Sequence, residues 1–230
     1  MSFQIKKNPH KIAILGTGTG WNLFPLQSDH TIYCLNDFVY TEKYQIIPDI
    51  LFIMDILDEK PMVVAGIQNL GETISRINKI GCPFIAPLKY AEIPKSEAFP
   101  LEEAAKRFGM PYFSNTIAYM IAYALLKGAK EIDIYGVNQA SSAEYFYERS
   151  GVEFWLGVAI GSGVKVTING EKSELLRNKA RFGGSLLYGY NQTYEQIKQS
   201  DEKFGEAIVK KLTVPEKPYA RVIKREINKI

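Results

Sequence analysis

Short apolar runs that end abruptly in polar or glycine residues constrain this chain more than any other feature. Lys11-Ile12-Ala13-Ile14-Leu15 closes on Gly16-Thr17-Gly18-Thr19-Gly20, Thr31-Ile32-Tyr33-Cys34-Leu35 on Asn36-Asp37, and Ile50-Leu51-Phe52-Ile53-Met54 on Asp55. Runs that are apolar throughout, without a two-residue alternation, belong to strands buried on both faces, and so to a parallel sheet covered by helices. A further unit supports this. Ser114-Asn115-Thr116 supplies helix-capping residues, and Ile117, Met120, Ile121, Ala124 and Leu125 recur at helical spacing as far as Gly128. Glu131-Ile132-Asp133-Ile134-Tyr135 then runs into Gly136-Val137-Asn138, completing an αβ step of a doubly wound fold.

Between residues 58 and 113 the pattern is weaker, with helices expected over 67–80 and 101–108 and an edge-like strand over 83–87. Val152, Trp155, Leu156, Ala159 and Ile160 stripe another helix, placed after a loop that holds residues 138–149, and residues 164–168 form a last parallel strand. The fold class is therefore α/β and Rossmann-like, a mostly parallel sheet with helices on both faces. Residues 1–170 make the nucleotide-binding domain, and 171–230 a helical C-terminal extension packing on it.

Composition narrows the classes. At 230 residues with 46% hydrophobic and 23% charged side chains the chain is ordinary for a globular protein, neither disordered nor disulfide-stapled. Cys34 and Cys82 have no metal-ligand or redox spacing and read as buried thiols in a reducing compartment. No stretch approaches bilayer length, so a cytoplasmic protein without a membrane partner is expected. From residue 201 onward there are eight Lys/Arg against five Asp/Glu, which accounts for the whole formal excess of +3. A solvated basic helix explains that tail, and a nucleic-acid partner stays open.

Ligands of open α/β sheets bind beyond the carboxyl ends of the strands. Gly16, Thr17, Gly18 and Thr19 suit a phosphate-cradling turn, although Trp21 stands where the third glycine of a dinucleotide loop would be, and no Walker Lys follows. A tight turn that merely needs glycine is the plain alternative. Asn36, Asp37 and Asp55 lie at two further strand ends and suit a base or ribose, or else cap the next helix or turn. Ser114, Asn115 and Thr116 open a helix, where an anion or a simple cap is served equally well. Gly136, Asn138 and Tyr145 join them as nucleotide-binding candidates. Tyr147, Glu148, Arg149 and Glu153 are the catalytic candidates, the cation and hydroxyl for a departing phosphate and a carboxylate for a proton. A solvated loop with a first-turn glutamate is the alternative there. The only histidines are His10 and His30. Neither adjoins the expected crevice, so neither histidine catalysis nor a histidine-based metal site is expected, and no metal residue is assigned.

Four stretches together carry a resemblance: Lys11-Ile-Ala-Ile-Leu-Gly-Thr-Gly-Thr-Gly20, Cys34-Leu-Asn-Asp-Phe38, Ser114-Asn-Thr-Ile-Ala-Tyr-Met120 and Gly128-Ala-Lys-Glu-Ile-Asp-Ile-Tyr-Gly-Val-Asn138. Over roughly the first 170 residues the order of these pieces resembles the bacterial sialyltransferase group of Rossmann-like glycosyltransferases. It is similar also to the related motility-accessory and 6-hydroxymethylpterin diphosphokinase-like proteins. Tyr147-Glu-Arg-x-x-x-Glu153-x-Trp155-x-Gly157 resembles a stretch of uncharacterised phage proteins. The sialyltransferase likeness implies that Gly16, Gly18, Asn36, Ser114, Asn115 and Thr116 hold a nucleotide sugar, with Tyr145 or Tyr147 at the leaving phosphate. That group's catalytic histidine has no counterpart after the tyrosine-bearing stretch, so deprotonation of the acceptor falls to Glu153, with Glu148 as the alternative.

The expectation is a nucleotide-sugar-dependent glycosyltransferase, metal-independent, with no cofactor beyond the nucleotide-sugar donor. Its acceptor is a hydroxyl of a glycan, a small molecule or modified phage DNA. One alternative is diphosphokinase-like transfer from ATP, in which Mg2+ is held by Asp37, Asp55 and Asp58. Another is a non-catalytic module that binds or sequesters a nucleotide. A homo-oligomer is compatible with all three.

Overall fold

A computed structural model describes residues 6–40, 46–57, 70–139, 143–170 and 172–176, with the side chains of Asp37, Tyr40 and 143–146 also outside the description. Residues Met1–Arg177 cluster as one compact unit. The expected C-terminal extension falls, past residue 176, outside the described residues.

The unit is built on seven strands, β1 (Asn8–Leu15), β2 (His30–Leu35), β3 (Ile50–Phe52), β4 (Phe84–Ala86), β5 (Ser96–Ala98), β6 (Glu131–Tyr135) and β7 (Lys165–Asn169). Their order is β5-β4-β3-β2-β1-β6-β7, and every pairing is parallel. The chain winds outward from β1 to β5, then returns to the other side of β1 as β6. Strand order therefore reverses between β1 and β6, the position where an open α/β sheet leaves its crevice.

Alternate residues of each strand enter two separate cores. Ile12 and Ile14 of β1, Tyr33, Phe52, Ile132 and Ile134 face one side. There they meet α3 (Leu101–Phe108), α4 (Thr116–Leu126) and α5 (Ala143–Gly161). Ala13, Leu15, Ile32, Cys34 and Leu51 face the other side, against α1 (Asp37–Tyr40) and α2 (Leu70–Ile80). This two-sided burial is what the apolar runs demanded.

Helix α4 has nine buried residues out of eleven, because it lies between the sheet and α5 and has almost no solvent face. It starts at Asn115, whose side-chain oxygen accepts from the Ala118 amide at 3.0 Å, and stops before Gly128 at φ +78.

Two elements differ from the sequence expectation. The strand expected at the edge, β4, is internal, because β5 pairs beyond it. Only three residues long and reading Ser-Glu-Ala, β5 lacks the apolar signature that would have marked it. The stretch holding Tyr145, Tyr147, Glu148 and Arg149 is not a loop but the opening of α5, which places Glu153 well inside the helix. Gly151 weakens the helical signal of that stretch; its place in the helix is a packing requirement against Ser114.

Candidate functional site

The carboxyl ends of β1 and β6 are sewn together by backbone. The Gly16 N–H donates to the Tyr135 carbonyl and the Gly18 N–H to the Gly136 carbonyl, both at 2.8 Å. A Cβ on Gly16 would stand 2.5 Å from the Gly136 oxygen, and one on Gly136 2.6 Å from the Gly16 oxygen. Gly136 is also left-handed, at φ +64. Glycine is required here so that two loops can touch. Asn138 completes the seam, its amide oriented to accept from the Thr19 N–H at 3.0 Å and to donate to the Thr19 carbonyl at 3.1 Å. The Gly16 and Gly18 amides thus point into the fold, while Thr19 is exposed and Thr17 half-buried at the rim.

Asn36 and Asp55 meet across the ends of β2 and β3. Asn36 Nδ2 donates to Asp55 Oδ2 at 3.0 Å, and the Asn36 backbone N–H to the Phe52 carbonyl at 3.2 Å. Of the remaining expected residue here, Asp37, the backbone begins α1 and the side chain lies outside the description.

The start of α4 is set against α5. Ser114 Oγ donates to the Glu148 carbonyl, and Asn115 Nδ2 to Glu148 Oε2 at 3.0 Å. This approach is possible because residue 151 is glycine; a Cβ there would overlap the Ser114 side chain, standing 2.7 Å from its Cβ. An aromatic stack fixes the segment leading in. Phe113 lies parallel to Tyr119, centroids 4.1 Å apart, and to Trp155 at 4.9 Å. Trp155, fully buried, donates its Nε1–H to the Tyr112 carbonyl at 2.7 Å. Ser114 and Asn115 are therefore held on both sides by packing.

One turn further along α5, Arg149 Nε donates to Glu153 Oε1 at 2.7 Å and Nη1 to Glu174 Oε2 at 3.2 Å. Glu153 Oε1 also accepts from the Leu176 amide at 3.0 Å. The strap over 172–176 is tied at its other end, with Ser173 Oγ donating to the Val137 carbonyl and the Glu174 N–H to the Asn138 carbonyl. Sequence reading missed Ser173 and Glu174, which have no spacing signal that connects them to α5. Tyr147 is largely exposed, while the Tyr145 side chain lies outside the described residues.

Five buried side-chain atoms among the described residues make no hydrogen bond. Three of them, Asn36 Oδ1, Gln139 Oε1 and Asn169 Nδ2, stand just beyond or at the carboxyl ends of β2, β6 and β7. Gln139 is also left-handed at φ 51, an uncommon conformation for a residue with a side chain. Buried polar atoms are almost always paired, so each of these three calls for a partner, an ordered water or a ligand.

No family model matches the chain, and no curated protein matches it. Among solved structures, sialyltransferase CstII from Campylobacter jejuni in complex with cytidine-5'-monophosphate is similar at 17% identity and a TM-score of 0.47, over 72% of this chain and 82% of that one. The same enzyme with CMP-3FNeuAc gives 17% identity and 0.48, over 80% and 88%. Likeness at this distance says nothing about the reaction or substrate of this chain, and the fold assignment rests on the strand order itself. No helix among the described residues is long and apolar enough to cross a membrane.

Proposed function

We propose that the chain is a transferase that binds a nucleotide sugar along the carboxyl edge of β2, β1, β6 and β7 and moves the sugar to a hydroxyl acceptor. The observation that carries this reading is the row of unpaired buried atoms, Asn36 Oδ1, Gln139 Oε1 and Asn169 Nδ2, at the strand-order reversal. The reaction class comes from the motif resemblance of the sequence.

In this reading Asn36, propped by Asp55, receives the base or ribose, and the rim of Thr17 and Thr19 faces the phosphate-bearing part. Arg149, aimed by two carboxylates, neutralises charge on the departing phosphate. Asn115 and Ser114 position Glu148. We assign the general base to Glu148, which Asn115 holds at the start of α4, and keep Glu153, which holds Arg149 and the Leu176 amide, as the alternative that their separate variants decide. In this reading Arg149 is the cation that meets the departing phosphate, and transfer does not depend on a metal. Acceptor identity, including nucleic acid read by the basic tail, belongs to the same proposal, as does a homo-oligomeric state.

A second reading, a nucleotide-binding module without turnover, is favoured by one observation: Arg149 and Glu153 are locked to one another and to the 172–176 strap. The magnesium-dependent kinase reading would need Asp37, Asp55 and Asp58 together. Of these only the Asp55 side chain is described, and it is paired with Asn36.

Thermal shift with a panel of nucleotides and nucleotide sugars, with and without chelator, tests the proposal. A true ligand at a hundredfold excess over its dissociation constant adds about 2.7 kcal/mol. Stabilisation by a sugar nucleotide that survives chelator, followed by release of free nucleotide on adding acceptor, supports transfer. Stabilisation without turnover supports the module, and no stabilisation by any nucleotide removes both.

A further inference from the structure

The other two orphaned atoms, His30 Nε2 and Asp133 Oδ1, lie together, away from the crevice. His30 opens β2, Glu131 opens β6, and Asp133 follows two residues later on the same face of that strand; β1 runs between them. We propose that His30, Asp133 and Glu131 bind a divalent transition metal, zinc by preference, which ties β2 to β6 across the central strand.

Geometry comes first. One ligand atom from each of the three residues lies within 4.8 Å of the others. His30 Nε2 is 3.2 Å from Asp133 Oδ2, both side chains only 13% exposed, yet Nε2 makes no hydrogen bond. Two ligands of a tetrahedral zinc, each about 2.0–2.1 Å from the ion, stand about 3.3 Å apart, so this pair is already at the separation a shared ion requires. Glu131 closes the remaining distance with a flexible side chain that is 22% exposed, which also gives the ion a route in.

The surroundings agree. His30 Nδ1 meets Ser28 Oγ at 2.5 Å. When Nδ1 carries the proton and donates to Ser28, Nε2 turns a bare lone pair toward the Asp133 carboxylate, an arrangement that a cation between them relieves. The two neighbouring ammonium groups are already engaged, Lys11 with Asp29 at 3.1 Å and Lys165 with Glu131 Oε1 at 2.7 Å. Three carboxylates against two lysines leave a net negative charge for the ion. One imidazole with two carboxylates suits zinc better than magnesium or calcium, which take oxygen ligands in larger number.

The test is titration of the metal-free full chain with zinc chloride, together with the visible spectrum of its cobalt-substituted form. The proposal expects one zinc per chain, a four-coordinate cobalt spectrum, and affinity at least tenfold weaker in both Asp133→Asn and His30→Asn, with His10→Gln and Cys82→Ser unchanged. Circular dichroism checks that each variant is folded. If Asp133→Asn fails to fold, the partly exposed Glu131→Gln replaces it with the same expectation. No zinc binding by the wild-type chain, unchanged affinity in the ligand variants, or loss in His10→Gln or Cys82→Ser in their place would overturn it.

Discussion

The two ends of the β1–β6 pair are both polar, and they are polar in opposite ways. At the carboxyl end the backbones of two loops touch and consume each other's hydrogen bonds, and the buried side-chain atoms left unpaired around the rim, among the described residues, are those of amides. Toward the amino end β1 and β6 stay in regular register, and the atoms without a hydrogen bond belong to titratable groups, His30 and Asp133. The first pattern suits a neutral hydrogen-bonding surface that reads a ligand; the second suits an ion. The amides of Gly16 and Gly18 are taken up by the carbonyls of Tyr135 and Gly136, so glycine at these positions serves the contact between the two loops.

The largest effect should come from unpicking the carboxyl-end seam. Gly136→Ala forces a left-handed residue, at about 1–2 kcal/mol, and a Cβ into the Gly16 carbonyl, at about 1–3 kcal/mol for overpacking. A total loss of about 2–5 kcal/mol in urea unfolding is expected, with the unfolding slope unchanged. A loss below about 1 kcal/mol would mean the loops separate easily, and the contrast between the two ends would disappear.

Next in size is chemistry. Glu148→Gln keeps the shape and the Asn115 contact while removing the base, so turnover of a nucleotide sugar should fall about 100-fold or more. Nucleotide binding measured by thermal shift should hold. Glu153→Gln should instead loosen Arg149 and the 172–176 strap, raising KM more than it lowers kcat. If Glu153→Gln abolishes kcat while Glu148→Gln does not, the assignment of the base is reversed.

A pair of glycines in α5 separates packing from propensity. Gly151→Ala meets Ser114 and should cost about 1–3 kcal/mol. Gly157→Ala, with nothing within 4 Å of the new carbon, should stabilise by about 0.5–1 kcal/mol. The measurement is thermal or urea unfolding of both. Equal shifts would show that α5 does not press on the Ser114 turn.

These glycines also explain how far the sequence could be read. The central strands were legible because burial on two faces leaves a continuous apolar run, and α4 because Asn115 and Gly128 bracket it. β5 was not, since a three-residue edge strand carries too little hydrophobic signal. The start of α5 was hidden by Gly151, whose reason is a contact 37 residues away in sequence, at Ser114. Within the candidate site, the pairing of Asn36 with Asp55 follows from neighbouring strand ends. Arg149 and Glu153 are four apart, so their pairing follows as soon as α5 is read as starting at Ala143. The addition of Glu174 and the His30–Asp133–Glu131 group depend on sheet order and register, which local spacing does not encode.

The smallest expected effect tests the apolar layer beneath both ends. Burial pushes the Cys34 thiol well up, and the half-buried Cys82 thiol up to about 11 from an ordinary 9.0. Tyr33 is raised too, again by burial. These groups are held neutral by the fold and ionise more readily when unfolded. Their contribution is therefore complete below the unfolded value and is lost as pH rises through the folded one. Stability measured by urea unfolding should be level up to about pH 9 and fall progressively between about 9 and 11. Cys82→Ser should flatten part of that slope and leave the region below about pH 9 unchanged. A slope that begins near about pH 7 would show that these buried thiols and the phenol do not set the alkaline limit.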